Sequence, residues 1–275
     1  MPVLSQPEAM SNTAPPVIIL VRPQLGENIG AAARAMMNCG LYDLRLVAPR
    51  DGWPNLAAVP MAAGGADIIE KATVYSSVGD AVHDIEFLAA LSARRRDLPV
   101  RYADPRQTSS EILGHGGRSG LMFGPEASGL DNDEVALADC IVTAPLNPQY
   151  PSLNLAQAVL LMAWEWRVAA LSATDDNGLA RQDADRDTTS TSRRDPAREP
   201  RRDAPASIQE RDRFHQRLEA ELDAGGFFIS PEMAPAVKRN LRALFARAVP
   251  SSQEISTLHG VIQALTKTRN RNKSG

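Results

Sequence analysis

Apolar residues first cluster at Val17-Ile-Ile-Leu-Val21, a β-branched run suited to a strand buried on both faces of a parallel sheet. Residues 28–39 then take up a helical period: Asn28 can cap the N-terminus, Ile29, Ala33 and Met36 share one face, and Gly40 ends the segment. A second strand is predicted over 44–48, and further apolar runs fall at 86–91, 120–123 and 140–142. Helices are predicted between them near 56–65, 76–83 and 107–114. Strands alternating with helices define an α/β fold, a mostly parallel sheet with helices on both faces.

A long helix is predicted from Ser152 or Leu153 to about Ala170, with Leu155, Val159, Met162 and Trp166 on one face. Residues 172–207 break this pattern. Asp, Arg, Ser, Thr and Pro dominate there, and Leu179 is almost the only large apolar side chain, a composition that predicts a disordered linker. Helical periodicity returns over 208–222, 236–248 and 253–265. The expected organisation is therefore a disordered N-terminus (1–16), an α/β domain (17–171), a linker (172–207) and a small helical C-terminal module (208–275).

No apolar run approaches the roughly 18 to 20 residues needed to span a bilayer, and Met1 to Pro16 holds no basic region followed by an apolar stretch, so the expectation is a cytoplasmic protein. Cys39 and Cys140 lack CxxC or Cys/His spacing, which argues against a metal site or a disulfide framework. The net charge of −3 conceals an asymmetry. Residues 1–171 carry 12 Lys/Arg against 18 Asp/Glu, whereas 236–275 carry 8 against Glu254 alone. Such a basic C-terminal face suits a polyanionic partner such as RNA, and equally a solvated helix surface.

Neither GxGxxG after the first strand nor GxxxxGK[ST] occurs, which lowers the prospect of a dehydrogenase or a nucleoside triphosphatase. Three other segments combine chemistry with tight backbone. Gly26 to Asn38 puts Gly30, Ala31, Arg34 and Asn38 on one helical face, where small residues are expected to leave room for a ligand beside a guanidinium that can clamp an anion or form a surface salt bridge. Leu121 to Leu130 runs from a strand into a turn: Gly124 and Gly129 permit close approach or positive φ, and Glu126 stands at the sheet's carboxyl edge or caps the next helix. Ala144 to Asn154 is a Pro- and Asn-rich loop whose amides suit an adenine or an amino-acid backbone, or plain turn chemistry.

Asn28-Ile-Gly…Arg34, Phe123-Gly-Pro-Glu126…Gly129-Leu and Ser152-Leu-Asn154-Leu-Ala-Gln, in this order, resemble the motifs of the SPOUT-class RNA 2′-O-ribose methyltransferases. The details are similar to the TrmJ-like tRNA (cytidine/uridine-2′-O)-methyltransferases. The likeness covers 17–171 strongly and, more loosely, the tail around Asn240 to Arg247 and Ser252-Gln-Glu. It implies a trefoil-knotted α/β fold, S-adenosyl-L-methionine as methyl donor, a homodimer with sites at the subunit interface, and tRNA as partner, with the nucleotide at tRNA position 32 as target. By matching motifs, Arg34 and Asn28 become the ribose-side residues, Glu126 the acidic motif residue, and Ser152 and Asn154 the third motif. The donor pocket would be lined by Leu91, Ser92, Ala93, Gly124, Ala144, Leu146, Pro151, Ser152 and Leu153. Leu91 and Pro151 depart from relatives, where a small polar residue and a Ser are common, so donor contacts there would be mainly backbone.

His83 and His115 lie outside the three segments and His215 and His259 lie in the tail, so none is a convincing base. Arg34, too basic to act as one, is expected to orient the target phosphate and stabilise the developing alkoxide. Arg94, Arg95 and Arg96 near the pocket, with Lys238, Arg239 and Arg242 in the tail, are expected RNA contacts. Three rival readings are an rRNA 2′-O-methyltransferase, a non-catalytic RNA-binding protein of this fold, and an enzyme acting on a small nucleotide.

Overall fold

In the computed structural model, strand β1 (Val17–Val21) is buried along its whole length, and its neighbours explain why. It pairs in parallel with β2 (Leu44–Val47) on one side and with β6 (Ser119–Phe123) on the other. With β3 (Thr73–Tyr75), β4 (Phe87–Leu91), β5 (Arg101–Ala103) and β7 (Cys140–Val142), these form a seven-stranded sheet in the order β3-β2-β1-β6-β4-β7-β5. Every pairing is parallel. Residues 14–96, 98–184 and 204–273 are described, with side chains of 175–184 and 267–273 excepted. Residues 1–13 of the expected disordered terminus, 185–203 of the expected linker, and the side chains of Lys267, Arg269, Arg271 and Lys273 lie outside this set.

Alternation along the strands divides the core into two layers. Ile18 and Leu20 join Leu121, Phe123, Ala89 and Val142 on one face, beneath α1 (Gly26–Cys39), α5 (Pro105–His115) and α7 (Leu155–Ala184). The shorter α2 (Ala58–Ala62) and α3 (Ala66–Lys71), joined by a 3-10 turn at Ala63–Gly65, cover the same face. Val17, Ile19 and Val21 join Met122, Leu88 and Ile141 on the other face, under α4 (Val78–Ala81), α6 (Asn132–Val135) and the start of α8 (Ile208–Ala224). Both cysteines are buried and free, and burial pushes the Cys140 thiol up to about 12.

Several expectations shift. Helix α1 starts at Gly26, and Leu25 at its N-cap makes no side-chain cap bond; Asn28 lies inside the helix and is occupied elsewhere. Gly40 ends α1 in the left-handed region, φ 76°. Gly30 leaves no room for a ligand: a Cβ there would lie 2.0 Å from the Ala58 carbonyl, so the glycine permits α1 to seat against α2. Helix α7 begins after Asn154 and continues past Leu171 to Ala184, into the segment whose composition reads as linker. Ala, Leu, Arg and Gln there are good helix formers, and extending an existing helix avoids the cost of nucleation.

The tail forms α8, α9 (Ala234–Ala248) and α10 (Ser252–Lys273) around Phe214, Ile255 and Ile262, with Phe245 edge-on to Phe214 at 4.8 Å. Its attachment to the sheet domain combines Ile208, buried in the second core layer, with polar contacts. Ile208 N–H donates to the Ile85 carbonyl at 2.8 Å, and the buried Arg211 meets the buried Asp139 at 2.6 Å, whose other oxygen accepts the Leu88 N–H at 2.8 Å. Removing one partner strands a charge in the interior, so Arg211→Leu is expected to lower stability by about 3–5 kcal/mol in urea unfolding. A loss under about 1 kcal/mol, the range of an exposed pair, would refute that role.

His215, buried in the same module, carries an unpartnered Nδ1. Burial first, then the nearby Arg242 guanidinium, lower its pKa from 6.5 to about 4, with Arg211 adding to the effect and Asp212 opposing it. The unfolded chain thus binds a proton here between pH 6.5 and about 4 that the folded chain refuses, and stability falls as pH drops through that window. Between about pH 7 and pH 4.5 the wild type should lose up to about 3 kcal/mol more stability than His215→Leu; equal losses would overturn this.

Candidate active site

Strands β1, β6, β4 and β7 stand side by side and run the same way, so their four following loops leave one edge of the sheet together. Ligands bind at this carboxyl edge in open α/β sheets. The first motif lies in α1, which follows the loop after β1, and the other two motifs and the run Ser92 to Arg96 lie in the loops after β6, β7 and β4.

The motifs are joined by hydrogen bonds. Glu126, in the loop after β6, accepts the Gln24 backbone N–H at 2.9 Å and the Asn28 Nδ2–H at 2.7 Å. Asn28 Oδ1 in turn accepts from Asn154 Nδ2 at 2.9 Å. Asn154 also caps α7: its Oδ1 accepts the Ala156 N–H at 2.9 Å, and the Gln157 side chain accepts the Asn154 N–H at 3.1 Å. Gln157 at N3 reaches back to the cap as in a capping box, while the Asn154 oxygen takes the N2 N–H instead of the N3 one. Glu126 therefore reaches back to β1 and α1 and does not cap α6, which Asp131 and Glu134 cap between themselves. The loop after β6 is tight because Gly124 lies against Leu130; a Cβ there would fall 2.2 Å from the Leu130 nitrogen. Gly129 has φ 68°, the left-handed turn position.

Arg34 and Ser152 stand outside this bonded chain. Both are exposed, and neither side chain has a hydrogen-bond or ion-pair partner among the described residues. Arg34 thus forms no salt bridge with any described residue and presents a free guanidinium among them. In the predicted donor pocket, Leu91, Ala144 and Leu146 are half-buried while Ala93 and Pro151 are exposed. The Ser92 N–H is bonded to the Val142 carbonyl at 3.1 Å, and Thr143 Oγ1 donates to the Ser92 carbonyl at 3.3 Å, which fixes the two loops to each other. The N–H groups of Ser152 and Leu153 have no partner among the described residues. Half-buried apolar side chains and uncommitted backbone donors in loops at the same sheet edge suit a small amphipathic ligand.

The six expected RNA contacts separate. Arg94 has a free guanidinium among the described residues, and Arg95 lies 5.8 Å from the Tyr102 ring centroid. Arg96 is engaged within the protein, at Asn132 and Leu130. Lys238 is 3.7 Å from Glu219, Arg239 is 3.4 Å from Asp133, and Arg242 bonds Asp212 at 2.7 Å and Glu219 at 2.9 Å. A cleft of about 450 Å³ between α6 and α9 is lined by these same opposed charges. Sequence reasoning missed Arg22, which follows β1 and bonds Glu134, although Asp131-x-x-Glu134 is itself a readable capping signature. Among the described residues no group of three His, Cys, Asp or Glu side chains is arranged to hold a metal, and no helix is long and apolar enough to cross a membrane.

An open parallel sheet with one helix start and two loops bonded together at its carboxyl edge defines an α/β enzyme-like site, and comparison with known proteins specifies it. The chain belongs to the SpoU rRNA Methylase family, whose model matches residues 15–164. The model of the tRNA methyltransferase TrmJ C-terminal domain matches residues 209–274. Proteins named tRNA (cytidine/uridine-2′-O-)-methyltransferase TrmJ are similar along almost the whole chain. That of Yersinia pestis (strain Pestoides F) is 34% identical over 91% of this chain and 91% of its own, and that of Pectobacterium atrosepticum 35% identical over 91% and 96%. The crystal structure of TrmJ from Z. mobilis ZM4 superposes with a TM-score of 0.77 at 42% identity, covering 92% of this chain and 100% of that one.

The bonded chain makes Glu126 a shared acceptor for two donors. Glu126→Gln keeps the shape but turns one acceptor into a donor facing an N–H, and should cost about 1–2 kcal/mol of stability in chemical denaturation. An unchanged unfolding midpoint would show that the carboxylate is dispensable to the loop.

Proposed function

We propose that this protein methylates a ribose 2′-hydroxyl in tRNA, using S-adenosyl-L-methionine, and that its target is cytidine or uridine at position 32 of the anticodon loop. The observation that carries the reading is the hydrogen-bonded junction of Asn28, Glu126 and Asn154, with Arg34 on the same helix as Asn28 and unpaired among the described residues, in a chain similar to the TrmJ enzymes over nine-tenths of its length. When bound, the donor supplies a methyl group on a sulfonium for in-line displacement by the ribose oxygen.

The chain's own part is alignment and charge. Ser152 and Leu153 offer backbone N–H groups, and Leu91 and Leu146 offer apolar surface, to hold the donor at the edge of the sheet. The Asn28–Glu126–Asn154 bonds keep the loops that frame it in one arrangement. Arg34 holds the target phosphate and stabilises negative charge developing on the 2′-oxygen, whose proton passes to phosphate or to water.

The same reading includes a trefoil knot, supported by the insertion of β6 between β1 and β4 and of β7 between β4 and β5. It includes a homodimer, supported by the exposed stripe Leu160, Trp164, Val168 and Leu171 on one face of α7, with Trp164 58% exposed. The helical module over 208–275 acts in tRNA binding, with Arg94 and Arg95 as contacts closer to the site, and the protein works in the cytoplasm. The name of the matched family favours one second reading, rRNA as substrate.

Methyl transfer from labelled S-adenosylmethionine to bulk tRNA, followed by nuclease digestion and mass spectrometry, should yield a 2′-O-methylpyrimidine at position 32. Methylation of rRNA alone would overturn the substrate, and no transfer to any RNA would overturn the enzyme. Arg34→Ala should lower turnover by at least about a hundredfold while donor affinity changes little. Turnover at the wild-type level would refute the role of Arg34.

A further inference from the structure

Three consecutive arginines follow β4, and one of them is used differently from the other two. The Arg94 guanidinium is free among the described residues, and Arg95 lies over Tyr102. Arg96 is half-buried, and its guanidinium is spent on the protein. Nη1 donates to Asn132 Oδ1 at 2.7 Å, Nη2 to the Leu130 carbonyl, and Nε to Ser92 Oγ at 3.4 Å. Its backbone N–H donates to the Tyr102 hydroxyl on β5 at 2.6 Å. A planar, charged fork that satisfies a carbonyl and an amide oxygen together fixes both distance and angle.

The groups it joins belong to opposite rims of the proposed donor site. Ser92 follows β4. Leu130 closes the loop that begins at Gly124, and the missing Gly124 side chain is what lets the Leu130 nitrogen approach. A displacement of Leu130 therefore displaces Gly124. The same segment is gripped from two further directions, by Arg22 through Glu134 and by Arg239 of the tail through Asp133. Of Arg22, Arg96 and Arg239, only Arg96 also makes a side-chain bond to Ser92 among the described residues.

We infer that Arg96 is a positioning residue for the methyl donor and not a phosphate contact: it sets the separation between the Ser92 rim and the Gly124–Leu130 rim. The inference rests on the donor-site reading given above. It separates one arginine from a basic cluster whose other members remain available to RNA.

The test is two-substrate kinetics on the full-length protein, varying S-adenosylmethionine and tRNA in turn, with donor affinity measured in parallel by calorimetry. Arg96→Gln should raise the donor KM and Kd by about tenfold or more with the tRNA KM changed less than about twofold, and Arg96→Lys should not restore them because an ammonium cannot make the fork. Asn132→Ala is the decisive variant: it leaves the Arg96 charge in place, so it should weaken the donor and spare tRNA. Arg94→Ala should do the reverse and raise the tRNA KM.

If Arg96→Gln fails to fold by circular dichroism, Asn132→Ala still decides. A raised tRNA KM in Arg96→Gln together with an unaltered Asn132→Ala would overturn the inference in favour of an RNA contact, and unaltered constants in both would overturn it outright. Absence of donor binding by the wild-type protein would overturn the donor-site reading and this inference with it, a result distinct from normal wild-type binding with unaffected variants.

Discussion

The site depends on β6 lying between β1 and β4. Met122 pairs with Ile19 on one side and Ala90 on the other, and both pairings are parallel. The register brings Leu20 level with Phe123, so the loop carrying Glu126 leaves the sheet next to the loop carrying Gln24. Residues separated by about a hundred positions in sequence thereby come within hydrogen-bond distance. Burial of all five residues in each of β1 and β6 holds the pairing in place, since a slip of one residue would exchange the contents of the two core layers.

On that frame, a few polar side chains carry several duties at once. Asn28 gives up capping α1 so that its amide can donate to Glu126 and accept from Asn154. An ionised carboxylate only accepts, so the orientation of the Asn28 amide is set by Glu126, and that of Asn154 by Asn28 and the Ala156 N–H together. Asn154 is both the end of this relay and the cap of the helix that packs on α1. The start of α7 and the shape of the site are therefore one structural decision.

What the sequence disclosed followed from how much each element buries. The runs that became β1, β4 and β7, and most of β2 and β6, are apolar because helices cover both faces, and they were legible despite Arg45 within β2 and Ser119 at the start of β6. Thr73–Tyr75 and Arg101–Ala103 are three-residue strands at the two edges, largely exposed, and carry no apolar run to read. Within the site, the motif residues Asn28, Glu126 and Asn154 were identifiable and do meet. Their partners were less visible: the Gln24 contribution is a backbone N–H that any residue but proline supplies. Gly30 read as ligand space, and is helix packing, because α2 is too short and irregular to anticipate its carbonyl. Arg94, Arg95 and Arg96 look equivalent in sequence, yet only the fold brings Leu130 and Asn132 to the third.

Pairing of the tail's cations also changes what the molecule offers to its surroundings. Lys238, Arg239 and Arg242 each face a carboxylate, Arg217 lies 3.3 Å from His259, and Arg247 donates to the Pro99 carbonyl at 2.9 Å. Affinity for polyanions in general comes from exchanging their condensed counterions for free protein cations. Lys238, Arg239 and Arg242, each already facing a carboxylate, have little to exchange, so these three contribute little to trapping arbitrary nucleic acid. Discrimination between one folded RNA and other polyanions then falls more to shape and to guanidinium groups that meet no carboxylate among the described residues, Arg34 and Arg94 among them.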